Sequence, residues 1–167
     1  MAETIADYLV GIFQDKIPEE MIVFIISMFP VVELRGGMIA AKLLDVDFVK
    51  AFVICYAGNI LPIPFILLFI RRIFEFLKRF KFTRGMVEKL ESSSLRKSEK
   101  LKKTSKWGLL TFVAVPLPGT GGWTGSLIAA LLDMRIKISF PVIALGVLIA
   151  NLIMSVFSYG LLGAIGF

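Results

Sequence analysis

The sequence predicts an all-α integral membrane protein: an inverted repeat of two halves, each a re-entrant helical hairpin followed by a transmembrane helix, preceded by an N-terminal interfacial or packing helix. Three observations carry this reading. The 167-residue chain is 57% hydrophobic with 15 Phe, and its mean hydropathy is +0.83, more apolar surface than one soluble core of this size can hide. Its apolar runs alternate short, Gly/Pro-interrupted pairs with long stretches, and the order occurs twice. The excess positive charge falls in the single segment that joins the two occurrences. The length suits one domain, residues 1–167.

Residues 1–20 come first. They lack the basic start and small-residue cleavage site of a secretory signal and carry Glu3, Asp7, Asp15, Glu19 and Glu20 instead, so they are expected to be retained. Ile5, Tyr8, Leu9, Ile12 and Phe13 fall at helical spacing with acids opposite. Such a stripe fits a helix on the membrane surface or one packed against the bundle.

Residues 21–47 form the first expected hairpin. Met21 to Val32 is apolar but short, because a spanning helix needs roughly 20 apolar residues and runs of 10–14 suit re-entrant or buried segments. Glu33-Leu-Arg35-Gly36-Gly37 makes the tip, where the glycines permit a non-helical backbone. Met38 to Leu44 returns and Asp45-Val-Asp47 closes the turn. Residues 48–80 hold a transmembrane helix with a cytoplasmic extension. Phe48 to Ile70 is long enough to cross, and Pro62 and Pro64 should break or bend it.

Residues 81–106 are a basic linker. From Arg71 to Lys106 there are 13 Lys and Arg against 4 acids, while the whole chain carries only +6. No aromatic residue interleaves with the charges between Arg84 and Ser105, which argues against nucleic acid. Excess Lys and Arg mark cytoplasmic loops, so residues 71–106 are assigned to the cytoplasmic side of an inner membrane, close to anionic headgroups.

Residues 107–135 repeat the hairpin. Trp107 to Val115 is its first arm, Pro116-Leu-Pro118-Gly119-Thr120-Gly121-Gly122-Trp123-Thr124-Gly125 its apex and Ser126 to Leu132 its return. Residues 136–167 supply the second crossing. Gly37-Met-Ile-Ala-Ala-Lys-Leu-Leu-Asp45 matches Gly125-Ser-Leu-Ile-Ala-Ala-Leu-Leu-Asp133 in kind and spacing. A cytoplasmic linker between two such halves makes their hairpins dip in from opposite faces, a recurrent transporter plan. The competing reading is a plain bundle of kinked helices.

The chemistry is narrowly bounded. There is no His and one Cys, Cys55, so no disulfide, thiol metal site or nucleophile and base pair can be assembled. No enzyme activity, metal or cofactor is expected. Glu33 and Arg35 stand out, because charges at membrane depth cost at least about 2.5–3.5 kcal/mol each and survive only if paired, hydrated or functional. Arg35 offers a planar fork for phosphate or carboxylate, and Glu33 is the candidate to gain and lose a proton. A lock between the two halves is the structural alternative.

The amides around Gly119, Thr120, Gly121, Gly122 and Trp123, with Gly36 and Gly37, are candidates to receive an anion. Thr120 and Thr124 would donate to substrate or cap the helix, and Trp123 would stack on a ligand or anchor packing. Asn59 and Asn151 occupy similar places in the two crossings and are candidates to line a central cavity. The expected partners are membrane lipids, protons and an anionic amphipathic substrate. A homodimer would enlarge so small a bundle, but no residue demands one.

At Phe29-Pro30-Val-Val-Glu33-Leu-Arg35-Gly-Gly37, Asn59-Ile-Leu-Pro62-Ile-Pro64 and Pro116-Leu-Pro118-Gly-Thr-Gly-Gly-Trp-Thr-Gly125 the chain resembles a small multidrug export family, named for an inferred activity. That family resembles the wider DedA/VTT membrane protein superfamily. The resemblance implies opposed re-entrant hairpins and proton-dependent translocation, of undecaprenyl phosphate in some relatives and phospholipids in eukaryotic ones. It also implies proton coupling at Glu33 and phosphate binding at Arg35. The expectation is therefore a proton-coupled transporter or flippase for an anionic amphiphile. Small multidrug efflux, an ion channel and a non-transporting scaffold are the alternatives.

Overall fold

The computed structural model describes residues 17–81, 83–89, 92, 105–117 and 119–161. All the regular structure among them is helical. The expected N-terminal helix lies almost wholly outside the described residues, as does much of the basic linker.

The first half opens with α1 (Glu19–Met28), whose first turn carries Glu19 and Glu20, acids that complement the positive end of the helix dipole. It stops because Phe29 is extended, φ −70° and ψ 133°, as the residue before Pro30 must be to clear the ring. Helix α2 (Glu33–Leu43) follows. The glycines expected to loosen the tip are helical. A Cβ on Gly37 would collide with Ser27 of α1, so close helix packing explains that glycine, whereas one on Gly36 would collide with Val32, the residue just before its own helix.

Leu44 ends α2, and Asp45 takes a left-handed φ of 52°. The amide of Val46 donates to the Ala41 carbonyl at 2.9 Å and that of Asp45 to Lys42 at 3.2 Å, the paired bonds of a Schellman cap. Asp47 then caps α3 (Phe48–Ile60), its Oδ1 accepting from the amides of Val49 and Lys50 at 3.0 and 3.3 Å. Helix α3 gives way at Leu61 and Pro62 to α4 (Ile63–Leu77), the interruption expected of the prolines.

The second half runs α5 (Ser105–Ala114), a loop, α6 (Gly122–Leu131) and α7 (Ile136–Ser155), which continues as a π-helical stretch, Val156–Leu161. Helix α6 starts four residues before the expected return arm. Gly122, Trp123, Thr124 and Gly125 form its first turn rather than a loose apex. Its end repeats that of α2: Asp133 has φ 55°, Met134 donates to Ala129 at 3.0 Å and Asp133 to Ala130 at 3.2 Å. Pro141 lies inside α7 without ending it.

The glycines show the same construction twice. In the first half Gly37 and Gly58 close on α1, where a Cβ on Gly58 would meet the Phe24 carbonyl at 2.8 Å. In the second Gly125 and Gly146 close on α5, where a Cβ on Gly146 would meet Val113 at 2.8 Å. Both pairs are equally spaced in sequence. Each half thus grips its first arm between two glycines. Helices α2 and α3 pack on α7, and α4 packs on α6; Asn151 Nδ2 donates to the Phe52 carbonyl at 2.8 Å and Tyr56 to Ala144 at 3.3 Å across the α3–α7 contact.

Among the described residues two stretches are long and apolar enough to span a membrane, Phe48–Ile70 with 23 residues and Ile136–Gly160 with 25. Only 33% of the most apolar window of each is buried within the protein. A soluble core helix would be mostly covered, whereas here Val53, Phe65, Leu68, Leu152 and Val156 are more than half exposed. Those faces need an apolar solvent, and a bilayer supplies one.

Candidate functional site

The two hairpins meet through the residues the sequence singles out. Pro30 ends α1 early, so the chain turns at residues 29–32 and begins α2 with Glu33 in the left-handed region, φ 52°. That conformation costs a non-glycine residue roughly 1–2 kcal/mol. Glu33 is buried, 4% exposed, and its side chain reaches the start of α6. Oε2 accepts from the Gly122 amide and Oε1 from the Trp123 amide, both at 3.2 Å. These amides have no carbonyl in the preceding turn to bond, and the helix dipole favours an anion beside them. Gly121, φ 122°, has no side chain to obstruct the approach; a Cβ there would strike the Glu33 carboxyl.

Arg35 faces the other side of the same apex. Its Nη1 donates to the Leu117 carbonyl and its Nη2 to the Thr120 carbonyl, with Thr120 Oγ1 3.2 Å away. These acceptors lie in the loop beyond the C-terminus of α5, where the proline sequence prevents further helix and leaves carbonyls free. Thr120 braces that loop: Oγ1 accepts from the Leu117 amide at 3.1 Å and lies 2.7 Å from the Val115 carbonyl. It does not cap α6, whose preceding residue is Gly121 and which has no side-chain cap. The acid therefore meets the start of α6 and the base the loop that leads into it.

Trp123 anchors packing, its Nε1 donating to the Met28 carbonyl of α1 at 3.1 Å. Thr124 is half-buried in the first turn of α6. Asn59 is fully buried beside Gly122, and neither its Nδ2 nor its Oδ1 makes a hydrogen bond. A Cβ on Gly122 would lie 2.5 Å from the Asn59 Oδ1. Asn151 serves the α3–α7 contact instead and keeps an unpaired Oδ1. Gly37 serves the α1–α2 packing, and Gly36 closes on Val32 just before its own helix. The structure thus gathers Glu33, Arg35, Asn59, Thr120, Gly121, Gly122 and Trp123, and uses Gly37 and Asn151 in helix contacts. Among the described residues no cluster of acids and thiols could hold a metal.

Sequence reasoning missed two features. The backbone carbonyls of Leu117 and Thr120 occupy the Arg35 fork, and the proline-rich loop was the available signal. An open apolar groove of about 480 Å³ runs along the outer face of α5, lined by Trp107, Gly108, Thr111, Phe112, Val115 and Leu117 and ending at Thr120. Its inner end is the loop that Arg35 holds.

No curated protein and no solved structure matches the chain significantly. A family model described as "Putative small multi-drug export protein" matches residues 33–153, from Glu33 through both hairpins and into the second long helix. With most of its length inside that match, including the whole interlocked apex, this membrane protein belongs to that family.

Proposed function

We propose that the protein is a proton-coupled transporter or flippase of an anionic amphiphile, such as a polyprenyl phosphate or phospholipid, in the cytoplasmic membrane. One observation carries the reading: among the described residues the two ionisable side chains at the hairpin junction, Glu33 and Arg35, lie against backbone groups of the opposite half, and the loop that Arg35 holds borders an apolar groove. Arg35 would take the headgroup, the α5 groove the first part of the apolar chain, and Glu33 the proton. The two hairpins would enter the bilayer from opposite faces, with the basic linker at the cytoplasmic surface. Their duplicated caps and glycine clasps support a common plan for the halves, and a kinship with the DedA/VTT arrangement is part of this proposal.

Export of cationic drugs is the second reading, favoured by the family's description. Arg35 opposes it, because a drug cation beside Glu33 would also face a fixed positive charge.

Reconstituted liposomes separate the two. A labelled polyprenyl phosphate should cross faster with an imposed pH gradient, and a cationic dye should not respond. Arg35→Ala should reduce lipid movement to the protein-free rate, and Glu33→Gln should leave movement that ignores the gradient. Unchanged lipid movement in both variants would assign the pair to structure alone and sink this proposal.

A further inference from the structure

The amides at the start of α6 form an anion site that already contains an anion, the carboxylate of Glu33. We infer that ionised Glu33 is a tethered occupant of the substrate's own headgroup site, so that substrate anion and Glu33 carboxylate exclude each other and each bound anion leaves Glu33 protonated. This inference rests on the anionic-substrate reading above and specifies how the coupling works.

Three observations support it. The carboxylate is held loosely, since both bonds are 3.2 Å whereas charge-assisted bonds run about 2.7–2.9 Å. It is also held from a strained backbone, the left-handed Glu33, and release would relieve that strain. Finally, Asn59 is completely buried beside the cradle with both polar atoms unpaired. An orphaned buried amide is costly and calls for a ligand. Both Glu33 oxygens are turned to the α6 amides, and although the Asn59 side chain acts on this carboxylate, neither oxygen comes within hydrogen-bond distance of it. A phosphate edge can replace them and present a third oxygen to the Asn59 amide. The cradle therefore fits a phosphate monoester more completely than it fits Glu33.

Charge balance links the exchange to a proton. Among the described residues Arg35 is the charged group acting on Glu33. Helix α6 carries no ionisable side chain, and α3 presents Asn59 and the buried Cys55 thiol, which packs towards Ser27 and Gly37. On α1 the acids Glu19 and Glu20 stand at the opposite end, Glu20 paired with Lys50 at 3.1 Å. A second negative charge beside ionised Glu33 would stand against one guanidinium in a low-dielectric site. A proton from water converts the displaced carboxylate to the neutral acid and restores one anion to one cation. Anion and proton then travel in the same direction.

The test is calorimetric titration of the purified full-length protein in nanodiscs with hexyl sulfate, which presents three terminal oxygens and does not itself titrate near neutrality, in two buffers of different ionisation enthalpy. Wild type should take up protons as it binds the anion and bind more tightly as the pH falls through neutrality. Glu33→Gln should bind tightly at every pH with no proton uptake. Asn59→Ala should lose about tenfold in affinity for hexyl sulfate, roughly 1.4 kcal/mol, and little for hexanoate, which lacks the third oxygen. Binding by wild type without proton uptake overturns the exchange while leaving the anionic substrate intact, and needs no variant to fold. Equal pH dependence in Glu33→Gln overturns it too. Absence of binding by both proteins at every pH overturns the exchange and the substrate reading together.

Discussion

The two hairpins are built alike and finished differently. Each clasps its first arm between two glycines, Gly37 and Gly58 on α1 and Gly125 and Gly146 on α5. Each ends its return arm with a left-handed aspartate, Asp45 or Asp133, and the same pair of backbone bonds. At the apex the likeness stops. The first hairpin presents charged side chains, Glu33 and Arg35, whereas the second presents bare backbone, amides at Gly122 and Trp123 and carbonyls at Leu117 and Thr120. The shared parts are the packing frame, and the difference is what lets one half hold the other.

The sharpest way to break this division is Arg35→Ala, which strips the acceptors at Leu117 and Thr120 of their donor. Hydrogen bonds to charged groups contribute about 1.5–3 kcal/mol each, so stability in denaturant should fall by roughly 3 kcal/mol and transport to background. Arg35→Lys should recover part of the stability but little of the transport, because an ammonium cannot span two carbonyls as the fork does.

The shared frame makes a matched prediction. Gly37→Ala should collide with Ser27 and Gly125→Ala with Val113, each costing about 1–3 kcal/mol as overpacking does. Val113→Ala combined with Gly125→Ala, and Ser27→Gly combined with Gly37→Ala, should each be less harmful than the sum of the single changes, since the neighbour that blocks the new methyl is removed. Thermal melts of the two double-mutant cycles check this. Coupling in one half only would show that the halves do not share a frame.

Smaller again is the effect at the caps. Replacing Asp45 by Gly relieves a left-handed side chain and should stabilise the protein by about 0.5–1 kcal/mol. A loss of stability would mean that the aspartate makes contacts worth more than the strain.

The smallest effect lies at the start of α1, where Glu20 pairs with Lys50 of α3. The Glu20 carboxyl is held below its ordinary range, first by backbone hydrogen bonding at the helix start and then by Lys50. A carboxyl whose value is lowered on folding contributes stability above its unfolded value and loses it as pH falls through the folded value. Nuclear magnetic resonance titration should therefore place Glu20 below an ordinary glutamate. Lys50→Ala should return it only part of the way, because the backbone contribution remains. Both side chains are exposed, at 44% and 63%, so the melting temperature should barely move.

The frame was largely legible from sequence. Apolar runs too short to span, Pro30 at the end of one of them and the aspartates that close both hairpins announced two helical hairpins and two long helices. The limits of the elements were less so: the glycines at 36, 37 and 122 read as loop but pack as helix. Glycine serves both purposes, and only the neighbour that fills the missing side chain tells them apart.

The site divides in the same way. Glu33 and Arg35 declared themselves, since charge between apolar arms is expensive wherever it ends up. Their partners did not, because backbone amides and carbonyls are present at every residue, and which of them lack helical partners depends on where α5 ends and α6 begins. Sequence thus determined that the first hairpin carries the charge and the second the glycine-rich turn. The tertiary structure alone decided that Glu33 lands on the start of α6, that Arg35 grips the loop between α5 and α6 and that Asn59 lies buried beside them without a hydrogen-bond partner, because those contacts depend on how two separately encoded hairpins pack in space.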